Sequence, residues 1–246
     1  MTDIKKQYDV FTVTSDKQVY QAKHVVLAIG DMHRPRLLHI DGENLEHVSH
    51  YFDEPHRYFR RKLLIVGGKN SAVEAAIQCH SAGAQVAISY RREQFNGDSV
   101  KYWLLPEIQM LIQTQRITFH PQTTPTAITP THVRLQRADA SQWQVEADFV
   151  LLLIGYEMDR SLLDIAGVKL VGENGAPKLD HKTMQTNVGG IYVAGTAVAG
   201  TQRKFKLFIE NCHPHVAKIV TAITGRQVPF GAADKTHSGR YGLPES

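Results

Sequence analysis

The sequence predicts an α/β fold in which one lobe is inserted into a second domain. The first observation is Leu63–Arg92, where a short apolar run, two glycines, a helical segment and a second β-rich run follow one another. This order is typical of a βαβ unit. The second is a pair of apolar runs that each end on glycine, HVVLAIG before the unit and DFVLLLIG after it. These two strands would bracket the insertion.

The residues before the βαβ unit predict β structure followed by loops. Tyr8–Gln21 alternates apolar and polar residues about a central turn, which indicates a β-hairpin. It continues into a buried strand, Ala22–Gly30, and then into a loop, Asp31–Glu43. His50–Arg61 is an aromatic and basic linker. Such a linker could cover a cofactor, although packing between domains is the more frequent reason for these residues.

The glycine turn of the βαβ unit fits a dinucleotide fingerprint in part. Gly67 takes the first glycine position and Ala72 the third small position, whereas Lys69 stands where the second glycine is expected. Asn70 and Ser71 would cap a helix over about Ser71–His80 and donate to a ligand. Such a turn brings backbone N–H groups and a helix N-terminus to a pyrophosphate. The alternative is a doubly wound protein whose turn binds nothing.

The end of the next strand indicates the kind of dinucleotide. The strand Gln85–Tyr90 is followed by Arg91 and Arg92, where an NAD site would have an acidic residue for the ribose 2′-hydroxyl. Two guanidinium groups suit a 2′-phosphate. The pattern therefore favours NADP(H), and the alternative is a solvated basic loop.

Further elements follow from the same kind of pattern. The sequence after Arg92 predicts one helix and then mostly β structure, whereas the last part predicts two helices about a buried strand. The expected elements are a helix after Pro106 within Val100–Gln113, a strand Ile117–His120, turns over Pro121–Thr131, a hairpin of His132–Gln136 with Gln142–Glu146, a strand Asp148–Gly155, a helix Arg160–Ala166, a loop or strand with turns over Gly167–Asp180, a strand Gly190–Gly195 and a helix Lys206–Ile223 that Gly225 ends.

Composition excludes several classes of function. Hydrophobic residues make up 42% and charged residues 21%, and the net charge of +4 is dispersed, so we expect no nucleic-acid partner. The sequence contains neither a membrane-length apolar stretch nor a signal-like N-terminus. We therefore expect a cytoplasmic protein with no membrane partner. Two distant cysteines make no disulfide framework.

No residue of the sequence can be assigned as catalytic. Cys79 lies on the helix after the glycine turn and is expected to be a packing residue. Cys212, His213 and His215 could bind a metal, but the run lacks the other ligands of a closed site, so we expect no metal. Neither a Ser-His-Asp pattern nor a paired-carboxylate pattern stands out.

Several short pieces of the sequence together carry a resemblance to a known family. They are HVVLAIG, SHYFDEPHRYFRRK, LLIVGGKNSAVEAA, VKYWLLPEI, DFVLLLIG, IGYEMD, TNVGGIYVAG and FIEN. With these pieces the chain resembles the thioredoxin-reductase-like flavoproteins, and in more detail the YpdA-type bacillithiol disulfide reductases, from about Tyr8 to Gly225. In that family a lysine at the second glycine position is usual.

This resemblance implies two Rossmann-like, three-layer domains, with an NADPH domain inserted into an FAD domain. The GxGxxG βαβ unit that opens family members, and the cysteine proposed for disulfide chemistry in it, have no counterpart here, so we expect an N-terminally truncated FAD domain. The expected division is 1–47 for part of the FAD domain, 48–160 for the NAD(P)H domain, 161–230 for the rest of the FAD domain and 231–246 for a mobile tail.

The resemblance also implies which residues bind cofactors. NADPH would be held at Gly67, Gly68, Lys69, Asn70, Ser71, Arg91 and Arg92. The flavin would contact Ala28 and Gly30 on one side and Gly195 and Thr196 on the other, and Gly155 joins the cofactor-binding set. Thr196 replaces an aspartate of the wider superfamily and leaves a weaker hydroxyl contact.

The implied activity is electron transfer from NADPH through FAD to a low-molecular-weight disulfide. Two alternatives stay open: a ferredoxin or flavodoxin–NADP reductase of the same architecture, and a truncated NADP-binding module without catalysis. The expected partner is a small disulfide or a small redox protein, and homodimers are common for this resemblance.

Overall fold

The protein is described from a computed structural model that covers residues 1–97, 99–202, 207 and 209–227, with the side chain of Glu210 excepted. The chain divides into two compact units. Unit 1 comprises Met1–Arg34 together with the described residues from Tyr156 onward, and unit 2 comprises Pro35–Gly155. The expected assignment of cofactor domains with boundaries at 47 and 160 stays a prediction.

Most of the regular structure is β. Short 3-10 turns occur at Pro55–Tyr58, Gly195–Ala199 and Ile209–Asn211. In chain order the elements are β1 (Asp3–Gln7), β2 (Val10–Thr14), β3 (Val19–Ala22), β4 (Val25–Leu27), β5 (Arg34–Pro35), β6 (Val48–Ser49), β7 (Lys62–Val66), α1 (Asn70–Ser81), β8 (Gln85–Tyr90), α2 (Leu104–Gln113), β9 (Thr118–Pro121), β10 (Thr123–Ile128), β11 (His132–Arg137), β12 (Gln142–Glu146), β13 (Phe149–Leu152), β14 (Tyr156–Glu157), α3 (Ser161–Ile165), β15 (Leu170–Val171), β16 (Ala176–Pro177), β17 (Leu179–Asp180), β18 (Gln185–Thr186), β19 (Ile191–Val193) and α4 (His213–Thr224).

Unit 2 is a three-layer α/β structure around a parallel sheet. Its five strands have the order β6-β13-β7-β8-β9, and every pairing among them is parallel. Side chains alternate between the two faces of a strand, so Leu63 and Ile65 of β7 join the core of α1 and α2. Leu64 and Val66 join the core of the antiparallel sheet β10-β11-β12. Burial on both faces explains the continuous apolar run of β7.

Unit 1 contains three small sheets in its described residues. One has the order β17-β18-β19-β4 with β19 parallel to β4, the second is the antiparallel sheet β1-β2-β3, and the third is the antiparallel pair β15-β16. Phe11, Leu163, Ile191 and Val193 form the centre of its core. The carboxyl ends of β4 and β19 therefore lie side by side.

The expected α/β fold is confirmed, and most predicted elements occur within a few residues of their expected bounds. The predicted hairpin corresponds to β2 and β3, but β1 adds a third strand. The strand expected at Ala22–Gly30 is only β4, and Val26 is 45% exposed. Helix α2 begins two residues before Pro106. Proline fits there because first-turn N–H groups have no partner within the helix.

Two predictions in the later part of the chain are wrong. Strand β10 occupies most of Pro121–Thr131, where only turns were predicted, and its register shifts at Pro125. The last helix begins at His213 rather than Lys206. Its Val216 and Val220 are exposed, so its apolar stripe is narrower than expected. Gly225 ends the helix in a left-handed conformation, as predicted. Lys206, Phe208 and the tail 231–246 lie outside the described residues.

Candidate cofactor-binding site

The glycine turn joins β7 to α1 with no room for a side chain at its first position. Gly67 has φ +145°, and a Cβ there would lie 2.4 Å from the carbonyl oxygen of Leu153 and 3.0 Å from Cβ of Ala72. The Gly67 N–H donates to the carbonyl of Ser89 at 3.0 Å. The first glycine and the third small residue of the fingerprint are therefore explained by close packing of strand, helix and turn.

Gly68, which follows Gly67 in the turn, lies against an aromatic ring. A Cβ on Gly68 would lie 2.5 Å from ring atoms of Tyr90. The Tyr90 ring stacks on Phe95 with 5.7 Å between their centroids. Packing against Tyr90 therefore requires glycine at position 68, and a turn without side chains at positions 67 and 68 is what close approach of a pyrophosphate requires.

Asn70 does not cap α1, which corrects the sequence prediction. The N-cap is Lys69, with no capping hydrogen bond from its side chain. Asn70 Oδ1 instead accepts from the Lys101 N–H at 2.7 Å, and the Asn70 N–H donates to the carbonyl of Ser99 at 3.2 Å. Asn70 therefore joins the turn to the loop that precedes α2. Ser71 caps nothing either, and it is exposed in the first turn of the helix.

Four positively charged side chains lie around this turn. Burial lowers the pKa of Lys69, and the positive charges of Arg36, Arg91 and Arg92 lower that pKa further. Arg91 and Arg92 are exposed directly after β8, and Arg36 is half-buried. Desolvation and like charges both disfavour the ammonium form. An anion among these four groups would relieve their mutual repulsion.

Arg36 is a site residue that the sequence did not indicate. Its N–H donates to the carbonyl of Gly155 at 2.9 Å, and Gly155 follows β13, the neighbour of β7 in the sheet. The order of the strands creates this proximity, and no local motif around Arg36 encodes it. Gly155 itself, predicted to bind a cofactor, lies at the same end of the sheet as the glycine turn.

Unit 1 brings together the four residues expected to contact flavin. Ala28 and Gly30 follow β4, and Gly195 and Thr196 follow its parallel neighbour β19. A Cβ on Gly30 would lie 3.9 Å from Thr196 Oγ1, and a Cβ on Gly195 would have nothing within 4 Å. Gly195 therefore faces open space, and Gly30 has only the Thr196 hydroxyl oxygen beside it. The residues present thus fit the edge of a bound ring system, with the Thr196 hydroxyl as a polar contact.

Neither cysteine shows the features of a reactive thiol. Cys79 is fully buried in the core of unit 2, and burial raises the pKa of its thiol to about 12. Cys212 is also buried. Within the described part of the chain, no group of three or more His, Cys, Asp and Glu side chains is arranged to hold a metal ion. None of the helices described there has the length and apolar character needed to span a membrane.

The fold and this site define a class of protein. Residues 1–195 match the family described as pyridine nucleotide-disulphide oxidoreductase. The chain belongs to that family, and with it to the NAD(P)H-dependent flavin disulphide oxidoreductases. Bacilliredoxin reductase Bdr of Bacillus subtilis (strain 168) is 33% identical over 223 residues, which cover 91% of this chain and 68% of that protein. The resemblance to YpdA-type reductases is thereby confirmed.

Solved structures agree with this assignment. Bacillithiol disulfide reductase Bdr (YpdA) from Bacillus cereus superposes with a TM-score of 0.83 at 34% identity, covering 91% of this chain and 70% of that one. Thioredoxin reductase from T. acidophilum, at 23% identity and a TM-score of 0.74, shows the fold alone. A ferredoxin–NADP reductase of Acholeplasma laidlawii is 29% identical over 205 residues, 80% of this chain and 59% of that protein. The chain thus spans between 59% and 70% of these relatives.

Proposed function

We propose that unit 2 binds NADPH at the carboxyl edge of its parallel sheet. The observation that carries this proposal is the glycine turn, closed to side chains at Gly67 and Gly68 and surrounded by cations. Backbone N–H groups at such a turn and at a helix start favour phosphate oxygens. The turn and the ammonium group of Lys69 would together bind the pyrophosphate.

The selectivity for NADPH over NADH would come from Arg91 and Arg92. Both follow β8, the second strand of the βαβ unit, where the adenosine ribose of a dinucleotide lies. Guanidinium groups bind a phosphate in bidentate fashion, whereas NADH offers only a hydroxyl at that point. Asn70 would act indirectly, because its side chain is engaged with Lys101.

We further propose that the chain takes part in flavin-dependent reduction of a low-molecular-weight disulfide. The named substrate of the Bdr structures is bacillithiol disulfide, and similarity to them supports this class of acceptor. FAD would supply the two-electron chemistry, with Ala28, Gly30, Gly195 and Thr196 along one edge of it. In balance, NADPH and one proton reduce one disulfide to two thiols, leaving NADP⁺.

A second candidate is reduction of ferredoxin. Ferredoxin–NADP reductases are similar to this chain at 28% and 29% identity, below the 33% of Bdr. The third reading, an NADP-binding module without catalysis, differs from both because it requires no flavin. The disulfide reductase and the ferredoxin reductase are separated by adding a disulfide or ferredoxin to the NADPH-treated sample and measuring which of the two is reduced.

The proposal is tested with the purified chain and added FAD. Its absorption spectrum is recorded before and after NADPH, and NADPH and NADH affinities are measured by fluorescence titration. We expect a bound flavin band that bleaches with NADPH. We also expect Arg91→Gln and Arg92→Gln each to weaken NADPH about tenfold while changing NADH little. Arg134→Gln removes an equal charge from an exposed site on β11 and should change neither.

Three outcomes decide between the readings. Saturable NADPH binding without flavin binding would leave the non-catalytic module as the function of this chain. Equal loss of NADPH and NADH affinity in the Arg91 and Arg92 variants would refute the assigned 2′-phosphate contacts. Absence of binding of either nucleotide to the unsubstituted chain would refute the function of unit 2 as proposed.

A further inference from the structure

Arg36 is held at the carboxyl edge of the sheet of unit 2 by its own backbone. Its N–H donates to the carbonyl of Gly155 at 2.9 Å. Its side chain passes alongside Gly155, with Cδ 3.8 Å and Nε 3.9 Å from the position that a Cβ of Gly155 would take. Cδ and Nε of Arg36 therefore lie beside Gly155, three residues after the end of β13.

The Nε atom of Arg36 is buried and has no hydrogen-bond partner among the described residues. Buried polar atoms are nearly always hydrogen-bonded, and a donor left unpaired costs free energy. The side chain of Arg36 as a whole is only half-buried, so an anion can approach the positive charge of the group from its open part, where charge-assisted hydrogen bonds are strong. A half-buried guanidinium group with an unpaired donor therefore points to an anion at this edge of the sheet.

The backbone after Arg36 is fixed by a buried carboxylate. Glu43 is only 6% exposed, and its two oxygens accept from the N–H groups of Leu38 and His39, each at 2.7 Å. A carboxylate that accepts two backbone N–H groups makes strong, charge-assisted bonds. Hydrogen bonds at Arg36 and at the two residues Leu38 and His39 therefore fix the backbone here before any ligand binds, which lowers the entropic cost of binding.

The order of the strands shows which part of a dinucleotide reaches Arg36. The three neighbouring strands β13, β7 and β8 end near Arg36, Lys69 and Arg91 respectively. Adjacent strands lie about 4.8 Å apart, so these positions follow one another along the sheet edge. With the 2′-phosphate at β8 and the glycine turn at β7, the nicotinamide half must extend toward β13.

We propose that Arg36 binds the pyrophosphate of the dinucleotide from the side of its nicotinamide half, and so positions that half. This inference rests on the proposed function of unit 2. Because NADPH and NADH share the pyrophosphate, Arg36 contributes equally to the binding of both. It contributes nothing to selectivity between them, in contrast to Arg91 and Arg92.

The test compares three probes on the full chain: NADPH, NADH and adenosine 2′-monophosphate, which carries the 2′-phosphate but no pyrophosphate. We expect Arg36→Gln to weaken NADPH and NADH by the same factor, about tenfold, and to leave adenosine 2′-monophosphate unchanged. Arg34→Gln is the matched control, since Arg34 is an exposed arginine two residues away that pairs with Asp159. Unchanged thermal unfolding of Arg36→Gln would show that the fold is kept.

Each other outcome overturns the inference in a recognisable way. A loss confined to NADPH, or an equal loss of adenosine 2′-monophosphate, would place Arg36 at the 2′-phosphate instead. Unchanged affinity of Arg36→Gln for both dinucleotides would refute its role while leaving the proposed function intact. Failure of the unsubstituted chain to bind any of the three probes would refute the proposed function, and this inference with it.

Discussion

Gly68 lies so close to the ring of Tyr90 that a single added carbon would come within 2.5 Å of three ring atoms. The ring is stacked on Phe95, and Tyr90 is only 7% exposed. The turn that precedes α1 is therefore held between a strand end and an aromatic pair, and its backbone position depends on the absence of a side chain.

This contact predicts the effect of Gly68→Ala. Overpacking of this kind costs about 1–3 kcal/mol, so the free energy of unfolding should fall by that amount in urea denaturation. The displaced turn should also weaken NADPH at least about tenfold, because its N–H groups no longer meet the pyrophosphate. Gly189→Ala is the control, since its Cβ would meet only Lys6 Nζ at 3.9 Å. Full NADPH affinity in Gly68→Ala would contradict this view of the turn.

The parts of the site that could be predicted from sequence are those encoded locally. The strand β7, the glycine turn, α1 and β8 follow from hydrophobic period and glycine placement, and the positions of Arg91 and Arg92 follow from them. Gly67 and Ala72 fit the dinucleotide fingerprint because the turn after the strand and the first turn of the helix are in close contact at these two residues. Here the physical cause lies within about thirty residues of chain.

The parts that could not be predicted depend on contacts between distant segments. Arg36 reaches the site only because β13 pairs with β7. Asn70 has the right chemistry to cap a helix, yet its oxygen accepts from Lys101, a partner that only the folded loop supplies. Strand β10 was missed because threonine and proline suggest turns, whereas pairing with β11 decides its conformation.

The lowered pKa values of two histidines in unit 2 predict a loss of stability on mild acidification. Burial lowers the pKa of His80, and the positive charge of Arg116 lowers it further. Burial likewise lowers the pKa of His120, and the positive charge of Arg137 lowers it further. Folding therefore favours the neutral rings, and the unfolded state binds more protons below the ordinary value of 6.5. The stability they contribute is present above pH 6.5 and is lost as the pH falls through the folded-state pKa values.

Urea unfolding at pH 7.5 and at pH 5.5 measures this effect. The unsubstituted chain should lose free energy of unfolding between the two conditions, and His120→Gln should lose less, because glutamine does not titrate. His39→Asn serves as the control. His39 is exposed, and asparagine tolerates the left-handed backbone conformation that this position has. An identical pH dependence in His120→Gln and the unsubstituted chain would contradict the assignment.

Cys79 should be chemically inert in the folded protein. With its thiol buried and its pKa raised to about 12, almost none is thiolate near neutral pH, and thiolate is the reactive form. Iodoacetamide at pH 8 should leave Cys79 unlabelled in the native chain and label it after denaturation, as read by mass spectrometry of the peptides. Cys79→Ser should cost about 1–3 kcal/mol by placing a hydroxyl in an apolar core, and Cys79→Ala should cost less than Cys79→Ser. Rapid labelling of Cys79 in the native chain would contradict this prediction and would make a redox role possible.

Asn70 allows its structural role to be separated from its place beside the ligand. Asn70→Ala removes the acceptor of the Lys101 N–H and should lower the free energy of unfolding by about 1 kcal/mol. Asn70→Asp keeps an acceptor oxygen, so stability should hold, but its added negative charge should weaken NADPH about tenfold or more by repelling the pyrophosphate. Thermal unfolding and fluorescence titration measure the two effects.

Asn187 offers a control for the effect on NADPH, because its Oδ1 also accepts from a backbone N–H, that of Lys169 at 2.6 Å, in unit 1. Its Nδ2 in addition donates to the carbonyl of Gly167 at 3.0 Å, so Asn187→Ala should lose at least as much stability as Asn70→Ala does. Both Asn187→Ala and Asn187→Asp should leave NADPH affinity unchanged. If Asn70→Asp binds NADPH as well as the unsubstituted chain does, no phosphate lies beside the first turn of α1. The dinucleotide would then have to enter unit 2 somewhere other than the glycine turn, because that turn and Asn70 are consecutive in the chain.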